Sequence, residues 1–487
     1  MSSRSAHRSA LLALAGAVVA SGCLTDFPAL RSSDAQTGGA SGSPGDAATP
    51  DADADCDASA AATLAFPTAE GFGALSKGGR GGKVLRVTNL NDDGSGSLRA
   101  AMNQTGPRTI VFDVSGTIEL ASRITLTAAH SYVTVAGQTS PAGIQLRGGG
   151  LLLSSGFHDG IVRHLRVRPG GSASGAAIAV TGDGAPVHDV IVDHCDLMWS
   201  TGDLIRTGSA VTNVTLQWNL VAEALEPGGV AFSGTAWDTS AGGTLTIHHN
   251  LLTRSGAGSK LSGQQVFDFR NNLIFNWGTN NAAVFGSKAS NLSAFGNFVA
   301  NVYLQGSTSL SNSFYLANGS GLPSPDRGGT KIFTEGNWGP LCSAGCDNDW
   351  DNGYSTNDSG SYLEATEAEF RATNAFTAPA VKTDQAKDVR SVVSSGAGAT
   401  PWKRDAESQR VIDDVTNLVS HPFRSDEGGP WPQLTGGLAA KDTDADGMPD
   451  AWESAHGLDP LTPSDGAAQA CNGWTNLENY LDELAAP

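Results

Sequence analysis

The sequence predicts an all-β protein built as a single-stranded parallel β-helix with a small helical calcium-loop tail. Similar strand pairs recur through the middle of the chain, and their corner residues are spaced by 24, 31, 22 and 25 residues. Such a variable period of twenty to thirty residues is typical of the coils of a β-solenoid. Glycine supplies 61 of the 487 residues without a strict three-residue period, which indicates many turns and excludes collagen.

The first segment predicts export. Arg4 and Arg8 precede an apolar run over 11–20 that is too short to span a bilayer, and small residues lead to Cys23. Residues 20–23, Ala-Ser-Gly-Cys, resemble a lipobox, so we expect residues 1–23 to be a lipoprotein-type signal peptide and Cys23 to be lipidated. Plain secretion is the alternative. The expected location is therefore the outer surface or the extracellular medium.

Residues 24–63 form an expected disordered acidic tether of Ala, Gly, Ser and Asp. This composition cannot bury enough apolar surface to offset the entropy lost on ordering. We then expect a β-helix domain over 64–436 and a calcium-binding module over 437–487.

The repeating unit explains the β-helix prediction. Segments such as VIVDHCDL (190–197), VTLQWNLV (214–221) and LTIHHNLL (245–252) each join two short alternating strands at a polar corner. Stacked coils would align their corner side chains, so we expect a hydrogen-bonded ladder with Cys195, Asn219, Asn250, Asn272 and Asn297 at equivalent positions. The helix-like stretch over 95–104 is expected to cap the open end of the solenoid.

The cysteines predict one local disulfide. Cys342 and Cys346 lie close enough for a small disulfide loop in an exported protein, whereas Cys195 falls in an apolar strand and is expected to be free. The pairing of Cys56 and Cys471 stays open. The net charge of −19 argues against a nucleic-acid partner, because no excess of cations exists to neutralise phosphate.

Seven ordered motifs between about Ala65 and Asn301 resemble the pectate lyases of polysaccharide lyase family 1, in particular the bacterial exported branch. They include the segments VTVAGQTSPAGIQL (133–146), IVRHLRVRPG (161–170), VIVDHCDLMWST (190–201) and FDFRNNLIFNWG (267–278). The resemblance implies a right-handed parallel β-helix, a pectin-like acidic polysaccharide as substrate, and calcium-assisted β-elimination of 1,4-linked uronan.

The chain departs from this family pattern where the chemistry would occur. The first acidic calcium ligands would fall at 175–178, which reads Gly-Ala-Ala-Ile, and the expected Lys falls within 226–230, which holds none. Gly258 occupies the position of the family's catalytic Arg. We therefore expect Lys260 and Arg206 to be substitute catalytic residues, because a base and a cation are still required.

Arg254 and Asp203 are the two substrate-binding candidates beside these substitutes. Arg254 is a cation half a coil before Lys260, and Asp203 is retained where the family has an acidic pair. Each has a simpler explanation as a solvated surface charge. His194, His248 and His249 suggest a metal cluster, but they are expected to be structural, because neighbouring strand residues point to opposite faces.

The tail carries a template for calcium binding. Oxygen-bearing side chains stand at positions 1, 3, 5, 9 and 12 of a loop that has Gly447 at position 6. The expected Ca²⁺ ligands are Asp442, Asp444, Asp446, Met448 through its carbonyl, Asp450 and Glu453. The segment resembles EF-hand-like modules such as dockerin or thrombospondin-type repeats, and helices are expected after the loop.

Three functions remain open from the sequence. The first is an exported lyase acting on pectin-like acidic polysaccharide. The second is a catalytically degenerate protein of the same fold that binds carbohydrate at the cell surface. The third is a lyase with an altered substrate and a substitute base. In each case we expect a monomer that contacts the membrane only through its lipid anchor.

Overall fold

The computed structural model describes residues 63–171, 173, 175–208, 210–225, 231–233, 243–254, 259–262, 265–277, 283–285, 295–307, 309, 314–317, 331–352, 355–358, 361–364, 370–421 and 431–486. All of them belong to one compact unit, Cys56–Pro487. The signal segment, Cys23 and almost all of the tether lie outside the described residues. Within the described part of the chain, no helix combines the length and the hydropathy needed to cross a membrane.

Three sheets form the body of the molecule, with strands numbered along the chain. Sheet A contains β1 (Lys83–Val87), β2 (Arg108–Phe112), β5 (Val133–Ala136), β8 (His158–Arg163), β11 (Val187–Asp193), β14 (Val211–Gln217), β17 (Gly243–His248), β20 (Gln265–Arg270), β23 (Phe295–Val299) and β26 (Lys331–Glu335). Sheet B contains β3 (Gly116–Glu119), β6 (Ile144–Arg147), β9 (Arg166–Val167), β12 (Asp196–Met198), β15 (Leu220–Ala222), β18 (Leu251–Thr253), β21 (Leu273–Phe275) and β24 (Val302–Leu304). Sheet C contains β4 (Ile124–Leu126), β7 (Leu151–Ser154), β10 (Ile178–Thr181), β13 (Ile205–Thr207), β16 (Ala231–Ser233), β19 (Ser259–Ser262), β22 (Ala283–Phe285), β25 (Phe314–Ala317), β27 (Ser355–Asp358) and β28 (Ser361–Glu364).

The chain visits the three sheets in turn, and each strand pairs with the equivalent strand of the next coil. These pairings are parallel, and the exception among the described strands is the antiparallel hairpin of β27 and β28. Val190, Val214 and Leu245 stack in register on sheet A, and all three are buried in the main core. The parallel β-helix predicted from the repeats is confirmed.

A single residue in the left-handed conformation turns the chain from sheet A into sheet B. His194, Trp218, His249 and Asn271 have φ values of 49°, 53°, 54° and 50°. The three aromatic residues at this corner stack on one another, with centroid distances of 5.8 Å from His194 to Trp218 and 4.4 Å from Trp218 to His249. Stacking along the solenoid compensates for the backbone strain that non-glycine residues carry there.

The polar ladder begins one residue after this corner. The backbone N–H of Cys195 donates to Asn219 Oδ1, that of Asn219 to Asn250, and that of Asn250 to Asn272, at 2.9–3.1 Å. The last predicted rung is wrong. The N–H of Asn272 donates to Asn301 and that of Asn301 to Asn337, each at 2.9 Å, whereas Asn297 lies within strand β23.

Helices close the solenoid and cover one face. Helix α1 (Leu98–Met102) buries Leu98 and Met102 against the first coils, which confirms the predicted capping helix. Helices α2 (Ala386–Gly396) and α3 (Ala406–Asn417) place Val393 and Val411 on the outer face of sheet B. Their amphipathic pattern was not recognised in the sequence. The short 3-10 helices are Phe72–Leu75, Ala128–His130, Gly137–Thr139, Asp349–Asn352 and Pro401–Lys403.

The C-terminal segment packs on the first coils of the solenoid. It contains α4 (Asp450–Ala455) and α5 (Asn476–Ala485), both in predicted helical segments. Met448, Leu477 and Leu481 form a small core with Ala136. The predicted Cys342–Cys346 disulfide is present, Cys195 is buried and free, and Cys471 is disulfide-bonded.

Candidate functional site

The outer face of sheet C brings the two predicted substitute residues into one row. Strand β13 buries Ile205 and Thr207 and exposes Arg206 between them. In register, Arg206 pairs with Ala231 of β16, and Ala231 pairs with Lys260 of β19. Since parallel strands are about 4.8 Å apart, the Cα atoms of Arg206 and Lys260 are about 10 Å apart. The backbone register therefore places both residues in one row of sheet C.

Asp203 lies two residues before strand β13 and contacts Arg206. Its Oδ2 is 3.6 Å from Arg206 Nη1, and the Arg206 side chain is 56% exposed. An exposed pair of this kind contributes only about 0–1 kcal/mol to stability. Arg206 can therefore exchange this contact for a substrate carboxylate at little cost.

The segment where the resemblance places the first calcium ligands holds a guanidinium instead. An ideal Cβ built on Gly175 would lie 1.3 Å from Arg123 Nη2, so Arg123 covers this position. Ala176, Ala177 and Ile178 are buried and carry no ligand atoms in their side chains. Burial lowers the pKa of Arg123, yet an arginine keeps its charge in proteins. The family's calcium does not fit these residues. Sequence reasoning missed Arg123 because it precedes β4, two coils earlier.

Arg254 is not a substrate-binding residue. It is 3% exposed and lies beneath helix α3, where its Nη2 is 2.6 Å from Glu223 Oε1 and 3.0 Å from Asp414 Oδ2. Glu223 also pairs with Arg410 at 2.9 Å. The chain after β18 turns Arg254 towards helices α2 and α3, which cover sheet B. The sequence did not predict that these helices pack there.

A buried cluster of His164, Asp193 and His194 on the opposite side resembles a metal site but does not fit one. The N–H of Thr400 donates to His164 Nδ1, so the neutral imidazole carries its proton on Nε2 and has no lone pair there. Desolvation, reinforced by His194 and Arg163, holds the pKa of His164 well below its usual range. Asp193 already pairs with Arg163 and His194, each at 2.7 Å. These groups are structural.

Four carboxylates converge in the C-terminal segment. Asp444, Asp446, Glu453 and Asp465 each offer an oxygen, and these atoms lie within 4.8 Å of one another. Asp446 is 4% exposed and Glu453 is 0% exposed. Desolvation and the neighbouring carboxylates raise the pKa values of Asp446 and Glu453 to about 7. We call these four residues the acidic cluster.

The acidic cluster differs from the predicted ligand set. Asp442 pairs with Arg86 at 2.7 Å, and Asp450 pairs with Lys441 at 2.6 Å. The side chain of Met448 is buried in the small core, and its role as a ligand through the carbonyl stays a prediction. Asp465 was missed because it lies twelve residues beyond the end of the loop template, and no spacing rule connects it to the loop.

Several known proteins are similar to this chain in sequence. No family model matches the chain. It is 31% identical over 439 residues to a protein of Neosartorya fischeri called "Probable pectate lyase C", covering 87% of this chain and 94% of that protein. Proteins of the same name from Aspergillus fumigatus and Aspergillus oryzae are 32% identical over 441 and 431 residues, with the same coverage of 87% and 94%. These relatives are fungal, so the bacterial branch expected from the sequence finds no support.

Two solved structures are less similar to this chain in sequence. The cedar pollen allergen jun a 1 is 17% identical with a TM-score of 0.43, covering 68% of this chain and 93% of its own. A Bacillus pectate lyase in complex with trigalacturonate is 17% identical with a TM-score of 0.41, covering 68% of this chain and 98% of its own.

Proposed function

Because the chain belongs to the pectate lyase family, we propose that it is a polysaccharide lyase that cleaves 1,4-linked uronan by β-elimination on the outer face of sheet C. The observation that carries this proposal is the row formed by Arg206 and Lys260, with Arg123 covering Gly175 on the same side. A polyuronate needs positive charge along its groove, and Arg206 and Arg123 supply it although the whole chain carries −19.

The reaction assigns a different role to each cation. A base removes the proton from the carbon next to the uronate carboxylate, that electron pair forms a carbon–carbon double bond, and the glycosidic oxygen leaves with its electrons. Lys260 is the proposed base in its neutral form. The Arg206 guanidinium is the proposed partner of the carboxylate, where negative charge develops in the transition state. No step depends on calcium, since the residues at 175–178 cannot hold it.

The test follows the ultraviolet absorbance of the unsaturated product when the purified protein acts on polygalacturonate. We expect product from the wild type and a loss of about 100-fold or more for Lys260→Ala, the usual contribution of a general base. Lys387→Ala is the matched control, because Lys387 is a 60% exposed lysine on helix α2. Full activity in Lys260→Ala would exclude Lys260 as the base.

A second candidate is a non-catalytic protein that binds uronan at the cell surface. The loss of acidic side chains at 175–178 favours it, because the family's metal position is filled by Arg123. Retention of the wild type on a polygalacturonate column without product from any of several uronans would establish this function and exclude the lyase.

Polymeric uronan lies outside the cell, so the substrate agrees with the export signal at residues 1–23. We infer a monomer attached to the outer surface through a lipidated Cys23, or secreted if Cys23 is not modified. Metabolic labelling with a radioactive fatty acid in an expressing bacterium tests this. Loss of label in Cys23→Ser is expected, and an unlabelled wild type would leave only secretion.

A further inference from the structure

We propose that the acidic cluster binds a divalent cation of the calcium type, which fastens the C-terminal segment onto the first strands of the solenoid. This site is separate from the groove on sheet C. It uses Asp465 as a ligand and does not use the side chains of Asp442 and Asp450, in contrast to the loop template.

Unsatisfied oxygens support a bound cation. Both carboxylate oxygens of Glu453 are buried without a hydrogen-bond partner, and so are Asp444 Oδ2, Asp446 Oδ2 and Asp465 Oδ1. Buried polar atoms are almost always paired in folded proteins, and an unpaired charged group is especially costly. Five such atoms at one place need a shared positive partner.

The neighbouring basic side chains do not supply that partner. Arg86 pairs with Asp442, Lys441 with Asp450, and Arg80 with Glu478. Among the residues that the structure describes, no Lys, Arg or His forms a salt bridge with a carboxylate of the acidic cluster. These three basic side chains are therefore paired with other carboxylates and leave the charge of the cluster uncompensated.

The ligand chemistry indicates the type of cation. All side-chain donors are carboxylate oxygens, which suit calcium or magnesium and not the softer metals bound by sulfur and imidazole. Glu453 at the last loop position can bind through both oxygens, as calcium accepts. Gly447 has a φ of 96°, and a Cβ on Gly466 would lie 2.3 Å from Asp446 Oδ2, so both glycines permit the close approach of the loop.

The four ligands come from separate parts of the C-terminal segment. Asp444 and Asp446 lie on the loop, Glu453 on helix α4, and Asp465 on the connection that leads to α5. A cation bound by all four would hold these parts together. Two contacts join this segment to the solenoid. Asp442 forms an ion pair with Arg86 of β1, and the side chain of Gln138 donates a hydrogen bond to Leu481 O at 3.3 Å. Fastening the segment therefore stabilises the first coils.

Calcium titration by calorimetry on the complete chain, after dialysis against chelator, tests the ligand set. We expect one site in the wild type, a loss of affinity of about tenfold or more in Asp465→Asn, and a change below about twofold in Asp450→Asn. The two substitutions remove the same charge, and Asp450 belongs only to the loop template. Absence of calcium binding to the wild type, or a greater loss in Asp450→Asn than in Asp465→Asn, would overturn the proposal.

Limited proteolysis tests the fastening. We expect saturating calcium to slow cleavage of the wild type within residues 431–486 by about tenfold, and to have less effect on Glu453→Gln and Asp465→Asn. Each variant is first compared with the wild type by circular dichroism, and Asp465→Asn serves if Glu453→Gln does not fold. Equal cleavage rates with and without calcium would exclude the fastening role, whatever the protein does to uronan.

Discussion

The outward-facing charges on sheets A and B differ from those on sheet C. On sheets A and B the charges that lie beneath other segments are buried and paired, as in Arg163 with Asp193 at 2.7 Å and Arg166 with Asp405 at 2.7 Å, whereas Arg147 and Glu119 at the first coils of sheet B are exposed. On sheet C, Arg206 is exposed and makes only a loose ion pair. The same alternation along the strands produces both arrangements, and the difference is the cover: Phe66 lies over Arg163 on sheet A, and α2 and α3 cover sheet B.

This difference separates structural charge from functional charge. A charge beneath a cover has to be matched inside the protein, because an unpaired buried ion is costly. A charge on an uncovered sheet remains available to a ligand from solvent. Substituting a charged residue beneath the cover should therefore lower stability strongly and leave catalysis unchanged. Substituting a charged residue on the outer face of sheet C should lower activity and change stability little.

The largest expected effect is that of Arg254→Ala beneath the cover. Removing Arg254 leaves Glu223 and Asp414 to share the part-exposed Arg410, and losing one partner of a buried ion-pair network costs about 3 kcal/mol. Urea denaturation should show this loss, while kcat/KM on uronan should stay within about twofold at a temperature where the variant is folded. Arg206→Ala should lose less than about 1 kcal/mol of stability. An Arg254→Ala protein with normal stability and impaired activity would break the comparison.

The second effect is acid destabilisation through the buried corner histidines. Desolvation lowers the pKa of His249 to about 4, although Asp384 accepts its proton and partly opposes the shift, while Lys382 and Arg270 add to it. An unfolded histidine takes up a proton near pH 6.5, so the unfolded state binds more protons between pH 6.5 and 4. His249 therefore lowers the free energy of unfolding by about 2 kcal/mol between pH 7 and pH 5.

Comparison with His249→Gln isolates this contribution. Asp446 and Glu453 have raised pKa values and act in the opposite direction, so the total pH dependence alone is not diagnostic. The wild type should lose about 2 kcal/mol more than His249→Gln on going from pH 7 to pH 5. Equal losses in the two proteins would show that His249 accepts a proton in the folded state as readily as in the unfolded state.

The smallest effect is that of Arg123→Ala on the uncovered side. If Arg123 supplies charge to the groove in place of the metal, its removal should raise KM for polygalacturonate about tenfold and leave kcat within about twofold, as the loss of about 1.4 kcal/mol of binding implies. Arg147→Ala is the matched control, because Arg147 is exposed and pairs with Glu119 on sheet B. An equal rise in KM in the two variants would show that Arg123 acts only through the net charge of the protein.

The solenoid could be predicted because its information is local and repeated. Each coil repeats the same alternation of strand residues and the same polar residue after the corner. The equivalent positions Asn219, Asn250 and Asn272 can therefore be aligned from the sequence. The last rung was misplaced by four residues because Asn297 and Asn301 both lie between apolar residues. Only the register, with Asn297 paired to Asp268 of β20, distinguishes a strand residue from a rung.

The two sites could be predicted only where the ligands are close in sequence. Arg206 and Lys260 follow from counting coils, and Asp444, Asp446 and Glu453 from a loop template. Arg123 and Asp465 come from other parts of the chain. The guanidinium of Arg123 reaches Gly175 across two coils. Asp465 lies on the connection between α4 and α5, which folds back on the loop. Arg254 was misassigned because the helices covering it come about 130 to 160 residues later.

The most direct test measures product formation from polygalacturonate at low temperature with excess chelator and with excess calcium, while circular dichroism monitors the fold. The cationic groove predicts unsaturated product in chelator at a rate within about threefold of that in calcium, since we propose a metal for the C-terminal segment and none for the groove. A folded protein that forms product in calcium and none in chelator would contradict this account, because a catalytic metal would then be needed in the groove.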